Sequence, residues 1–440
     1  MNVSHPVRHA LIATVVSIAF ALSTATVGAN PLGDDTQPFA LYVSTNQGQA
    51  YQSIDLMTLT DLDSASALMF DHDWPELAVS ADGSTFVIIE PSRAGLDQWI
   101  AVRDGIGGTV RQTITPTETV YGPRLNADGS RVVVRAPHAD PCGPGRCPAQ
   151  TWHTYDTSTG DLMATIRAND GDPLWPDLID PAGERLYYPF YDRQASSSAT
   201  ANDSSGPWPL QIAAFDLDTG QEAATMTVPG VSAGSWQAES IDQMYVGEME
   251  LPAVTLSPDG SRLAVIDAAL ETLTLLDAGT LAVQETHAIH RSESLTDRLL
   301  GWLGLVPQSA QAKVSEGRSL RAAWSADGQS LYLTGHEIEV GETMDDITGP
   351  GLGISKIDVG TGDVTAVARE GRDADFMVPA PDRRSLYVLM PETPWWDNGG
   401  GSAYVLRRLD ADSLETMAGR RFDAWPQIML VPRGDAQANH

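Results

Sequence analysis

Val254-Thr-Leu-Ser-Pro-Asp-Gly-Ser-Arg-Leu-Ala-Val-Ile266 is the clearest copy of a pattern that recurs along the chain: an apolar strand, an Asp-Gly turn, and a second apolar strand. Asp-Gly between two apolar runs marks a hairpin, because Gly takes φ > 0 at little cost and the short Asp side chain bonds to the turn backbone. Upstream copies run from Leu77 to Ile89 (turn Ala81-Asp-Gly83) and from Arg124 to Val134 (turn Ala127-Asp-Gly129). A degenerate copy spans Leu178 to Tyr188, around Pro181-Ala-Gly183. Downstream copies run from Ala322 to Leu333 and from Met377 to Leu389, the latter with Asp382-Arg383 in place of Asp-Gly.

Each copy is followed by a second hairpin, as in Tyr155-Asp-Thr-Ser-Thr-Gly-Asp-Leu-Met-Ala-Thr-Ile166 and Leu273-Thr-Leu-Leu-Asp-Ala-Gly-Thr-Leu-Ala-Val283. Each unit is therefore four strands, named a to d here, and tandem four-stranded units are the signature of a β-propeller. The ends set the count. Phe39–Val43 and Gln52–Leu56 read as strands b and c without a strand a, and Trp425–Gly434 reads as a strand a without a b. Joining them completes a seventh blade and pairs edges that an open ring would expose. The expected fold is all-β: a seven-bladed propeller of four-stranded antiparallel blades, the last closed by the C-terminal strand with the N-terminal strands. These repeats resemble those of the YVTN, WD-like and TolB propellers and of amine dehydrogenase heavy chains, over nearly all of residues 30–434. The resemblance implies a fold; it does not by itself imply an activity.

Residues 1–29 read as a signal peptide, the alternative being an uncleaved N-terminal anchor. Arg8 supplies a weakly basic start, Ala10 to Leu22 is apolar and uncharged, and small-residue cleavage sites end at Ala25 and Ala29. The expected organisation is a leader over 1–29, one propeller domain over 30–434 and a tail over 435–440, with the mature chain secreted or periplasmic and not inserted in a membrane. The only two cysteines, Cys142 and Cys147, flank Gly-Pro-Gly-Arg. In an exported chain they read as a disulfide, the alternative being a metal or redox pair. The net charge is −31, from 58 acidic and 27 basic residues. Such a surface repels phosphate backbones, which argues against nucleic acid as a partner.

Strand alternation puts the a–b and c–d turns on one face and the b–c and d–a connections on the other. The first class is short. The second holds the long segments 135–150, 189–210, 229–251, 287–320, 334–353 and 391–402. Long loops on a rigid scaffold are where binding residues gather. Leu295–Leu305 reads as a short apolar helix carrying Trp302. Trp395 and Trp396 stand beside Asp397 in a Gly-rich loop, placed either to stack on a sugar or cationic ligand or to fill a gap between blades.

Aligned on their turns, the a strands begin with Glu76, Arg124, Asp177, Arg321, Asp375 and Gln427, which places these six at the channel mouth on the looped face. They form either a small-ligand site or a solvated ring of ion pairs. His72, His138, His287, His290 and His336 fall on the same face, and His287-x-x-His290 has metal-compatible spacing without a third ligand. No catalytic motif is present, so no catalytic residue is assigned, and cofactors stay open between none and a divalent cation. The leading functional reading is a binding module that engages a protein, peptide or glycan through its looped face. The alternative is a propeller enzyme or subunit: a metal-dependent lactonase-like hydrolase, or a chain like the amine dehydrogenase heavy chain.

Overall fold

The computed structural model describes residues 39–45, 50–54, 58–59, 68–69, 76–91, 98–105, 108–136, 150–168, 171–174, 177–191, 208–241, 244–290, 317–340, 347–349, 351–368, 372–380, 382–392, 403–426 and 428–432. These form four-stranded antiparallel blades arranged as a β-propeller, with no helix among the described residues. One blade is Glu76–Val79, Thr85–Pro91, Gln98–Asp104 and Val110–Ile114, paired in chain order. Tyr121–Leu125, Arg131–Ala136, Thr151–Asp156 and Leu162–Arg167 form the next. Two others comprise Ala253–Leu256 through Val283–Ala288 and Phe376–Pro379 through Thr416–Phe422. A fifth four-stranded sheet draws on both ends of the chain: Ile428–Pro432 pairs antiparallel with Phe39–Thr45, Leu41 opposite Leu430.

The turns explain the strand order. In Ser257-Pro-Asp-Gly-Ser-Arg262, the Ser257 hydroxyl donates to Asp259 (2.6 Å) and accepts from the Arg262 N–H (2.9 Å), while Asp259 also accepts from the Ser261 N–H (3.0 Å). Gly260 follows at φ +73°, with a hypothetical Cβ only 2.8 Å from Pro181 of the preceding blade. The turn therefore excludes a side chain both by conformation and by its neighbour. Arg383 holds the same place in the degenerate copy at φ +58°. Burial falls off outward: Arg131–Ala136, a strand b, is buried at every residue but its first, whereas Leu162–Arg167, a strand d, buries only Ala164 and Ile166.

The apolar core is divided between neighbouring blades, as radial packing requires. Val87, Ile89 and Val102 of one blade pack with Val132, Val134 and Tyr155 of the next. Leu59, and Ile428 on the sheet made from both chain ends, pack with Tyr387, Leu389 and Leu406 of the sheet before it.

Segment 229–251, read above as a long loop, is instead largely strand. Glu222–Ile241 runs on past its blade and pairs antiparallel with Met244–Leu251. That strand pairs in parallel with the start of Gly317–Trp324, Glu250 opposite Arg318. Gly317–Trp324 pairs with Ser330–Val340 as far as Ile338, and Ile347–Thr348 adds a further short pairing. These extensions grow from the end of a strand d, the starts of two a strands and the end of a strand b. All therefore rise on the looped face, as a rim sheet that merges two groups of strands into one eleven-stranded sheet. At the base of this hairpin, Arg318 and Ser319 supply backbone partners to Glu250 and Leu251.

Candidate functional site at the channel mouth

Five of the six expected mouth residues are described, and they form two groups. In the first, Asp177 lies just ahead of Leu178–Ile179 and is buried. It accepts from the Arg135 guanidinium and from Trp152 Nε1 (2.7 Å). Arg135 is 2% exposed, and its guanidinium carbon sits 5.5 Å from the Trp152 ring centroid and 5.8 Å from that of Tyr121. Burial alone would raise the Asp177 carboxyl, but the charges of Arg135 and Arg124 with the Trp152 bond hold it below the usual range. Arg124, half-buried on the same strand a as Tyr121, is pulled down by burial against the opposing pull of Asp177.

Glu76 reaches the same group from the preceding blade. Its carboxylate accepts from the Gly122 N–H. That contact depends on an irregularity: the register slips between Tyr121 and Arg124, and Gly122 adopts φ +61°, which turns its N–H out of the ladder. Burial pushes the Glu76 carboxyl up.

The second group joins the strands around Arg321 to the lead-in of Phe376–Pro379. Arg321 Nη1 donates to the Ala374 carbonyl (2.9 Å) and to Asp375 Oδ1 (3.4 Å), and lies 3.9 Å from Asp373 Oδ2. His336 Nδ1 is 2.9 Å from the same Asp373 oxygen. The backbone is drawn tight here. A Cβ on Gly335 would lie 2.1 Å from the Ser319 carbonyl oxygen, and one on Gly351, bridged to His336, would lie 2.2 Å from the Arg372 carbonyl carbon. The Ala374 N–H donates to Thr334 Oγ1 (3.0 Å), which fixes the Asp373–Asp375 segment against the neighbouring strand b.

The two carboxyls of this group are driven apart. Burial would raise Asp373, but the hydrogen bond and charge of His336, with Arg321, hold it below the usual range. Burial pushes Asp375 up, against the opposing charge of Arg321. Tyr404 is pushed up to about 12, by burial and then by the two aspartates.

Glu76, Arg124 and Asp177 thus share one cluster and Arg321 and Asp375 another. Gln427, Trp302, Trp395, Trp396, Asp397, Cys142, Cys147, His72 and His138 lie outside the described residues. His287 bonds Glu285 at 2.9 Å, and His290 meets Asp363 as an isolated backbone bridge. Among the described residues no three His, Cys, Asp or Glu side chains are grouped to hold a metal ion.

Turn alignment missed Tyr121, Arg135, Trp152, Asp373 and Tyr404, and it picked out His336 only as one of five histidines. Asp373 carried a readable signal, since it stands two residues before Asp375 and so on the same side of an extended lead-in. Arg135 carried none beyond being a charge at the end of a buried strand b.

No family model and no curated protein matches the chain. Among solved structures it is similar to a functionally unknown protein from Desulfotomaculum acetoxidans DSM 771, at 12% identity over 90% of this chain and 99% of that one, with a TM-score of 0.45. It is also similar to a periplasmic gluconolactonase from Pseudomonas aeruginosa, at 13% identity over 89% and 99%, with a TM-score of 0.46. A eukaryotic initiation factor matches at 9% identity over 91% and 100%, with a TM-score of 0.43.

Proposed function

We propose that this chain is an extracytoplasmic, seven-bladed propeller that binds a protein, peptide or glycan through its looped face. Taking the eleven-stranded sheet as two blades merged by the rim brings the count to seven, with the chain ends sharing one blade. Export rests on the apolar leader before Asn30. The observation that carries the binding reading is one-sided growth: the strands that outrun their blades, above all the twenty-residue Glu222–Ile241, do so on the face of the long connections. A scaffold with one tight face and one built-up face presents the second to partners.

Replacing residues 235–249 with a short Gly-Ser turn tests this. Immobilised glycans and peptides probed with both proteins should show binding lost in the shortened chain while its thermal unfolding stays cooperative. Equal binding by both proteins would refute the assignment to this face.

A further inference from the structure

We infer that the rim strand Met244–Leu251 takes up an extended, basic peptide segment as an added strand along its outer edge. The inference rests on the looped-face binding proposed above and names the partner's chemistry at that face.

The case starts from the backbone. On one side Met244–Leu251 pairs with Glu222–Ile241, from Gly234 opposite Glu250 to Ile241 opposite Met244. On the other side only Glu250 and Leu251 have strand partners among the described residues, namely Arg318 and Ser319. Residues 244–249 therefore present a row of backbone donors and acceptors with no strand beside them among the described residues. The two strands of the hairpin differ in how well they could accept another. Between Ala238 and Ile241 the pairing slips, so that residues 239 and 240 face residue 245 alone. The extra residue lies on the Glu222–Ile241 strand, and a bulge of that kind bends and twists the edge that carries it. Met244–Leu251 carries no extra residue, no proline and no lysine, the usual devices that close an edge to strand addition.

The partner's chemistry follows from charge. Residues 222–251 contain Glu222, Glu239, Asp242, Glu248 and Glu250, and no lysine, arginine or histidine. Glu248 and Glu250 stand two apart on one strand and so belong to the same face. Where the chain itself supplies a strand to this edge, the residue opposite Glu250 is Arg318. A foreign strand with arginine or lysine opposite Glu248 repeats that pattern, and opposite charges across neighbouring strands stabilise the pairing where like charges oppose it. The net charge of −31 acts over a longer range in the same sense, drawing in basic segments and repelling acidic ones. In strand addition the backbone bonds give affinity and alternate side chains give selectivity. A glycan has no row of amides to offer, so this edge selects peptide among the ligands of the looped face.

The test titrates synthetic peptides into the full chain by calorimetry. The probes are Arg-Val-Arg-Val-Arg-Val, its acidic counterpart Glu-Val-Glu-Val-Glu-Val, and the basic peptide N-methylated either at its arginines or at its valines. Methylation keeps the charge and removes the donors along one edge of the peptide. The basic peptide should bind and the acidic one should not. One of the two methylated forms should bind about tenfold more weakly or worse, because several backbone hydrogen bonds are lost. Glu248→Lys should weaken the basic peptide by about two- to fivefold and favour the acidic one, the size of a cross-strand charge pair. No binding of the basic peptide, equal binding of the acidic one, or full affinity in both methylated forms would overturn the inference. So would undiminished binding of the basic peptide by the chain with residues 235–249 replaced. If the basic peptide fails while binding of immobilised glycans or peptides still depends on residues 235–249, the edge assignment falls and the looped-face reading stands.

Discussion

The two charged clusters at the starts of the a strands are built from similar residues and differ in burial. Around Asp177, the paired arginine and aspartate side chains are 3% and 9% exposed, and two aromatic rings lie within 6 Å of the guanidinium. Around Asp373, the arginine and the outer aspartate are 26% and 28% exposed, and a histidine takes part. The first is a closed joint between blades, in which every charge is committed to a neighbour. The second holds one committed carboxylate and several groups that solvent can reach. Acidic residues at the start of an a strand therefore do not define a site; what seals them does.

The largest effect that would break this contrast lies at the closed joint. Arg135→Ala leaves Asp177 buried and without that partner, and it should cost about 3–5 kcal/mol in denaturant unfolding. The double change Arg135→Met with Asp177→Leu should recover most of that loss, because a buried pair is often no better than apolar residues of similar volume. If the single change costs under about 1 kcal/mol, the joint is not the closed structure described.

Arg321→Ala should cost at most about 1 kcal/mol by the same measurement, since its ion pair is partly solvated. A loss as large as that of Arg135→Ala would put both clusters in the same class.

Arg383→Gly is a comparison site on the tight face, away from both. A non-glycine residue in the left-handed region costs on the order of 1 kcal/mol, and glycine should return part of it as a small rise in melting temperature. An unchanged or lower melting temperature would mean that the Arg383 side chain makes compensating contacts.

The smallest effects are pH-dependent and opposite in sign. Asp177 has a lowered folded pKa, so its contribution is complete above the ordinary carboxylate range and is lost as pH falls through the folded value. Glu76 has a raised folded pKa, so it favours the fold in acid and loses that contribution as pH rises through the folded value. Glu76→Gln should therefore stabilise the chain slightly at neutral pH, with the gain vanishing in acid. Thermal melts of both proteins across pH 3–8 check this, and a gain that grows in acid would contradict the sign.

The repeat was legible because its chemistry is local. Asp259 and Gly260 close a turn within a few residues, and the apolar alternation on either side sets which face is buried. Pairing of the two chain ends could be inferred as well, because each end lacks the strand the other supplies. Residues at the starts of the a strands, such as Glu76 and Asp177, could be picked out by counting from the turn. Their partners could not. Arg135 finds Asp177 forty-two residues downstream, and His336 finds Asp373 thirty-seven residues downstream. No spacing within one blade signals a contact made across two.

The rim sheet marks the same boundary from the side of the backbone. Val231-Ser-Ala-Gly-Ser-Trp236 has the composition of a loop, and its strand is stabilised by partners: Trp208 and Pro209 up to Ala233, Met244–Leu251 from Gly234, and, beyond that hairpin, Gly317–Leu320. Sequence alone determined the unit, its turns, and which face carries the long connections, because these depend on residues adjacent in the chain. Tertiary structure decided which charges are sealed, which stay open to solvent, and where a connection becomes a strand, because burial and strand pairing are properties of neighbours brought together only when the ring closes.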